Sequence, residues 1–148
     1  SEMCIRDSNK PVAALNVSVC TDLAKFFEEA SSFNQPVEAW NVSACLDMSR
    51  MFAFATTFDQ PLAAWCPKLN VEVSLDSFME GKAYRTSYYD DFLNALWLDV
   101  NMTRRNQWAS RIKPRLLGMG LSKYSSVSSS ARANLVSAGW TITDGGQA

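Results

Sequence analysis

The sequence predicts an α/β fold in which short strand–helix coils of about 25 residues stack as a solenoid, with an α/β cap at the C-terminal end. The first observation is a repeated phrase: SSFNQPVEAW at 31–40 returns as TTFDQPLAAW at 56–65, a spacing of 25 residues. The second is that the period is lost after residue 81, where longer helix patterns begin. A repeat of this length indicates structural units that each pack on the previous one.

The repeats are predicted to occupy residues 9–81, and the cap residues 82–148. Two clear copies run from about Asn9 to Trp65, because segment 16–30 matches segment 41–55 at its Asn, Cys, Asp and Phe positions. A third copy is degenerate, since the apolar pattern of 48–52 returns at 75–79 with a spacing of 27. Irregular terminal repeats are expected because they close the core against water.

Within one copy, the alternation from Trp40 through Val42 predicts a brief strand. Apolar residues spaced three and four apart over Met48–Ala55 predict a short amphipathic helix, with Asp47 near its N-terminus. Stacking would place Trp40 over Leu15, Trp65 over Trp40 and Phe52 over Phe27. The predicted core residues are Leu15, Val17, Leu23, Phe27, Trp40, Val42, Met48, Phe52 and Trp65. Three positions that vary between copies are predicted to face solvent and any partner: Lys25, Glu38 and Arg50.

The cap pattern predicts two helices and a closing strand. The stretch TSYYDDFLNALWLDV at 86–100 places an apolar stripe on one helical face, with Thr86 or Ser87 as the N-cap. A second helix is predicted to follow a serine N-cap and to stop at Gly139, with a strand over Trp140–Thr143. The apolar stripe of the first helix consists of Tyr88, Phe92, Leu93, Leu96 and Trp97.

The first eight residues, SEMCIRDS, have no counterpart in either later copy. The string MCIRDS resembles a translated sequencing-adapter read of the kind found at the ends of metagenomic reading frames. We therefore expect residues 1–8 to be a non-native leader on a C-terminal fragment; the alternative is an ordinary frayed terminus.

Composition excludes several classes of function. The chain has no histidine, which removes Ser-His-Asp and Cys-His catalysis and the commonest metal ligand. A net charge of -1 gives no electrostatic footprint for nucleic acid, and no apolar run is long enough to span a membrane. We expect no cofactor, no metal and no catalytic residue. The local basic cluster, predicted to be a solvated face, consists of Arg104, Arg105, Arg111, Lys113 and Arg115.

The remaining cysteine, asparagine and aspartate positions can each be explained by a structural role as well as by a functional one. Cys20, Cys45 and Cys66 lack metal-binding spacing and are predicted to be small core residues, with metal binding as the alternative. Asn16, Asn41 and Asn101 begin Asn-x-Ser/Thr motifs, which are glycosylation acceptors or, for the first two, simply part of the repeat. The adjacent carboxylates at 90 and 91 point about 100° apart on a helix, so they do not form a paired acid site.

The repeat Trp-Asn-Val-Ser, Asp-Met-Ser-x-Met-Phe and Phe-Asp-Gln-Pro-Leu resembles that of BspA-like leucine-rich-repeat surface proteins of the mycoplasma-lipoprotein type. The C-terminal stretch from KYS to GWTITDGG also resembles the segment that follows such repeats. This resemblance implies a leucine-rich-repeat-like solenoid that is secreted or displayed at a cell surface. It implies adhesion to an unidentified protein or carbohydrate, without catalysis. The alternative is a structural spacer, stalk or fibre module, including a phage-associated one; an enzyme is disfavoured because no acid, base and nucleophile converge.

Overall fold

The computed structural model describes residues 8–148, so the predicted leader lies outside the described residues apart from Ser8. Among residues 8–148, the first regular element begins at residue 63. No helix in the described range has the length and apolar character needed to cross a membrane. The elements are a 3₁₀ helix (Ala63–Lys68), helix α1 (Thr86–Leu98), a π-helical turn (Asp99–Thr103), helix α2 (Arg105–Ala109), strand β1 (Leu116–Gly118), helix α3 (Ser129–Ser137) and strand β2 (Thr141–Thr143).

Consecutive turns form the backbone where the repeats were predicted to be helical. Lys25, Arg50 and Ser77, which occupy one position in three successive copies, all have left-handed φ values of 62°, 58° and 55°. Four residues further on, Glu29 and Phe54 again have φ near 60°. A right-handed helix cannot continue through such residues, so the helix predicted over Met48–Ala55 is wrong. The apolar residues of this segment instead lie on consecutive turns. Such turns also place every third or fourth side chain on the side that faces the core.

The predicted strand at Trp40–Val42 is also absent, since the backbone there is irregular between two turns. The N–H of Trp40 donates to the carbonyl of Val37 at 3.1 Å, and that of Cys45 to Val42 at 3.0 Å. These local bonds close turns rather than pairing the segment with a neighbour. Trp40 and Val42 are nevertheless buried. The alternating pattern therefore predicted the burial of these side chains correctly and their backbone conformation incorrectly.

Backbone hydrogen bonds join each copy to the next. Every second N–H of residues 23–29 donates to a carbonyl of the second copy over 2.8–3.0 Å, and every second N–H of residues 48–54 donates to the third copy over 2.8–3.2 Å. Isolated parallel bridges link Asp22 to Asp47 and Asp47 to Ser74. The donors of the first copy are Leu23, Lys25, Phe27 and Glu29, and their acceptors are Asp47, Ser49, Met51 and Ala53.

Tryptophan side chains link the copies in the opposite direction. The Trp40 indole Nε1–H donates to the carbonyl of Val12 at 3.0 Å, and that of Trp65 donates to Val37 at 2.9 Å. Both tryptophans are almost fully buried. A buried indole N–H needs an acceptor, and the same acceptor recurs 28 residues earlier in both copies. This geometry explains why Pro-aliphatic-x-Ala-Trp is repeated in the sequence.

The Asn/Asp-Gln pair of the repeated phrase forms a second ladder. Gln35 Nε2 donates to Asn9 Oδ1 at 3.0 Å, and Gln60 Nε2 donates to Asn34 Oδ1 at 2.9 Å. The Asn34 side chain also accepts the backbone N–H of residue 59 at 2.9 Å. In the next copy Asp59 replaces asparagine and accepts from Arg85 instead. The amide ladder therefore ends in an ion pair at the boundary with the cap.

An aromatic column fills the core between copies. Phe27 stacks on Phe52 with ring centroids 5.3 Å apart, and Phe33 stacks on Phe58 at 6.0 Å. Eight of the nine predicted core residues are buried; Leu15 is wrong, because its residue exposure is 46%. Leu15 holds the position of Trp40 but has no indole to reach back toward an earlier copy. Leu23 and Phe27 of the first copy are buried, as predicted.

The cap continues the stack through its two strands. Met79 N–H donates to Gly118 of β1 at 2.9 Å, and β1 pairs in parallel with β2, with Leu117 opposite Ile142. A side chain at Gly118 would collide with the backbone of Ser77, so this close approach requires glycine. Helix α1 packs against the 3₁₀ helix and α3.

The two predicted helices of the cap are found in place but not with the predicted N-caps, whereas α2 and β1 were not predicted. Helix α1 covers the predicted stripe, with Phe92, Leu93 and Leu96 buried. It begins at Thr86 after Arg85, and no side chain caps it. Helix α3 follows Ser128 and ends before Gly139, whose φ is 101°, but the Ser128 hydroxyl donates to an aspartate of α1 instead of capping α3.

Candidate binding surface

The turns described above carry an exposed strip that we call the turn face: the solvent-facing residues of 22–29, 47–54 and 74–81. Lys25, Arg50 and Ser77 form one row across the three copies, and Glu29, Phe54 and Gly81 form another. The backbone is the same at each position of a row, whereas the side chains differ in charge and size. A repeated scaffold therefore presents a surface that is not repeated.

Arg50 is not a free surface cation, which corrects the prediction that it simply faces a partner. Its guanidinium contacts Glu28 of the first copy at 3.0 Å and Glu80 of the third at 2.7 Å. It also lies 5.8 Å from the centre of the Phe54 ring. One side chain thus bridges three copies, and only a third of it remains exposed.

Phe54 is the large apolar side chain of the turn face. It is 41% exposed, and its ring lies against Gly81 so closely that a Cβ at residue 81 would overlap it. Gly81 has a φ of 71°, so both its conformation and its surroundings favour glycine. The contact holds an exposed aromatic ring in one place on the surface.

The remaining two predicted partner-facing residues lie on different parts of the molecule. Lys25 is exposed on the turn face, in the same row as Arg50. Glu38 is exposed in the turn between Val37 and Trp40, outside that face. The structure therefore brings Lys25 and Arg50 together but leaves Glu38 at a separate edge.

The Asn-x-Ser motifs of the repeats have a structural role. Asn16 Oδ1 accepts from the Ser18 backbone N–H at 3.0 Å and from its hydroxyl at 2.6 Å. Asn41 makes the same two bonds to Ser43 at 3.1 and 2.7 Å. These are side-chain turns of the kind that asparagine favours, so the motif is explained by the fold. Asn101 lies exposed on the π-helical turn.

Cys45 and Cys66 are core thiols, as predicted, whereas Cys20 is only half-buried. Cys20, Cys45 and Cys66 are unpaired, and the latter two are fully buried. Burial raises the pKa of both Cys45 and Cys66, which keeps them protonated and unreactive. Across residues 8–148 no group of His, Cys, Asp or Glu side chains is arranged to hold a metal ion.

The basic cluster at 104–115 is divided among structural roles rather than forming one solvated face. Arg111 is buried and donates to the carbonyls of Val71 and Val73 at 2.7 and 2.8 Å, so its predicted exposure is wrong. Arg104 pairs with Asp99 at 2.9 Å. Arg105 remains exposed, and no contact within the described chain occupies its guanidinium.

Two buried carboxylates organise the cap, and sequence reasoning assigned neither a role. Burial alone would raise the pKa of Asp90, but hydrogen bonds from Ser125 and Ser128 outweigh it and lower that pKa. Burial likewise opposes ionisation of Asp144, yet bonds from Arg132 at 2.8 and 3.1 Å and from Tyr89 at 2.6 Å lower its pKa. Both acids serve the fold, and their donors lie too far away in sequence for local patterns to reveal them.

The turn face, the interlocked copies and the mixed cap together define a repeat protein with an α/β C-terminal region. The chain belongs to the family described as Mycoplasma protein of unknown function, DUF285, whose model matches residues 3–92. The match includes the repeats and the first half of α1. No curated protein and no solved structure matches the chain.

Proposed function

We propose that this chain is part of a secreted or surface-displayed protein that acts by non-covalent contact with a protein or glycan partner, without catalysis. The family is related to BspA-like surface proteins, which supports an extracellular or cell-surface location. In this proposal the stacked copies form a leucine-rich-repeat-like solenoid, and residues 82–148 cap it.

The observation that carries the proposal is the division of each copy into fixed and variable positions. Phe27 and Phe52 repeat because they stack, and the tryptophans repeat because they bond to the preceding copy. On the turn face, by contrast, lysine, arginine and serine occupy one backbone position in succession. Lys25 and Glu29 are exposed on this face, so their side chains are available to a partner, whereas Arg50 is held by Glu28 and Glu80.

The second candidate function is a structural spacer, and one feature favours it. Arg50 links three copies, and the Asn34 side chain links its copy to the next one. Such cross-links stiffen a stack, which suits a stalk or fibre module as well as a binding platform. A binding function requires particular exposed side chains, whereas a spacer does not.

A paired measurement of binding and stability separates these functions. The full chain would be applied to immobilised extracellular-matrix proteins and to a glycan array, beside the double variant Lys25→Ala/Glu29→Ala. The control is Glu38→Ala, which removes an exposed charge outside the turn face. We expect the double variant to lose at least about tenfold in affinity with an unchanged melting temperature, and the control to bind normally. Absence of saturable binding on every surface would refute the binding function and favour the spacer.

A further inference from the structure

A cavity of about 260 Å³ opens in the cap, outside the turn face. It lies where the end of α1, the π-helical turn, α2 and the end of α3 meet. Its walls combine apolar and polar groups, which is typical of small-ligand sites. The lining includes Trp97, Val100, Asn101, Arg105, Trp108 and Arg115, together with two alanines.

The polar part of the lining is cationic. Arg105 has a guanidinium with no partner among residues 8–148, and Arg115 uses one N–H to donate to the Trp108 carbonyl at 2.8 Å. No acidic side chain lines the cavity. Asp99, in the adjoining turn, has one carboxylate oxygen engaged by Arg104 and by the Trp108 indole at 2.9 and 2.6 Å, while its buried Oδ1 has no partner among the described residues. The cavity therefore favours an anion, and guanidinium groups match the planar geometry of a carboxylate.

The apolar part of the lining favours a ring. Trp97 is half-buried, so part of its indole remains available at the cavity wall, with Val100 beside it. A volume of 260 Å³ is below the range of roughly 300–1,000 Å³ for drug-sized ligands, which limits the occupant to about one ring. Asn101 adds an amide that both donates and accepts hydrogen bonds, as hydroxyl recognition requires.

We propose that this cavity binds a sugar acid of the hexuronate type, in which one pyranose ring carries one carboxylate. The carboxylate lies between Arg105 and Arg115, a ring hydroxyl bonds to Asn101, and the C–H face of the ring packs on Trp97. A flexible acidic side chain of a peptide would satisfy the arginines but leave the indole wall unfilled. This site shares no residue with the turn face, so the experiment below tests it separately from the proposed function.

Calorimetric titration with glucuronate, compared with glucose and with acetate, tests the proposal on the full chain. We expect glucuronate to bind at least about tenfold more tightly than either, because each comparison compound lacks one half of the recognised structure. Arg105→Gln and Asn101→Ala, both exposed, should weaken glucuronate binding by about tenfold while leaving melting unchanged. Lys123→Gln is the matched control, since it removes another exposed cation of the cap.

Three results would overturn the sugar-acid site. The first is no saturable heat with glucuronate at millimolar concentrations. The second is equal binding of glucuronate by the wild type and Arg105→Gln. The third is binding of acetate, or of a glutamate-containing tripeptide, as tight as that of glucuronate, which would reduce the cavity to a site for carboxylates in general.

Discussion

Replacing Trp40 tests the interlocking of copies most directly. Its side chain is almost fully buried, lies 5.8 Å from the Phe27 ring and donates to the Val12 carbonyl at 3.0 Å. Trp40→Ala empties a large aromatic site and should lower the free energy of unfolding by roughly 3–5 kcal/mol. Total stabilities are about 5–15 kcal/mol, so this change alone threatens the fold of the repeats.

Trp40→Phe separates the hydrogen bond from the packing. Phenylalanine keeps an aromatic ring but loses the indole N–H, so the cost should be about 1–2 kcal/mol, one net hydrogen bond and a smaller ring. Trp140→Phe is the matched control: Trp140 is also buried, but its Nε1 has no acceptor among the described residues. The control removes an unsatisfied donor and should therefore cost less than Trp40→Phe.

Urea denaturation followed by the fluorescence of the remaining tryptophans measures these differences. With a slope of about 2 kcal/mol per molar urea, Trp40→Ala should lower the midpoint by about 2 M and Trp40→Phe by about 0.5–1 M. If Trp140→Phe destabilises the protein as much as Trp40→Phe does, the link from Trp40 to the preceding copy contributes nothing measurable, and the explanation of the repeated tryptophan is wrong.

Four further changes can be followed by the same assay. Asn34→Ala removes the acceptor of two bonds and should cost about 2 kcal/mol, whereas Asn34→Asp keeps an acceptor and should cost less than half of that. Lys25→Gly removes the strain of a non-glycine residue in the left-handed region and should stabilise the protein by about 0.5–1 kcal/mol. Lys25→Ala should change the free energy of unfolding by less than about 0.5 kcal/mol, and a larger loss would show that the Lys25 side chain does not face solvent. Gly81→Ala should cost more than about 1 kcal/mol because it strains φ and strikes Phe54, and a neutral result would contradict that contact. Folding lowers the pKa of Asp144, so the stability that this carboxylate contributes is complete above its pKa in the unfolded chain and is lost as pH falls below about 4. If Asp144→Asn loses the same amount of stability in acid as the wild type, this assignment is refuted.

Side-chain burial followed from the sequence because it depends on periodicity. The spacing of Phe27 and Phe52 indicated that they stack, and the apolar stripe of α1 indicated its inward face. Backbone conformation did not follow, because Lys25 and Arg50 are left-handed without the glycine or asparagine that usually marks such positions. The left-handed conformation at these positions is stabilised by hydrogen bonds to the neighbouring copy, and local sequence propensity contains no information about such bonds.

The candidate surface was predicted only in part. Variation between copies correctly placed Lys25 in solvent, but it could not show that Arg50 bridges two glutamates on other copies. The amide ladder was visible as a 25-residue recurrence of Asn9, Asn34 and Asp59, although nothing local indicated its partners. The cap cavity depends on Trp97 and Arg115, which are 18 residues apart in the sequence and meet only through packing.

The direction of the backbone bonds has a consequence for the order in which the chain folds. The N–H groups of each copy are accepted mainly by the copy that follows it, so during synthesis a completed copy waits with unpaired donors until its successor emerges. We therefore expect each nascent copy to remain open until the copy that follows it has left the ribosome. Limited proteolysis of chains stalled at residue 81 and at residue 148 measures this delay. Equal protection of residues 22–29 at both lengths would show that the first copy does not wait for the copies that follow it.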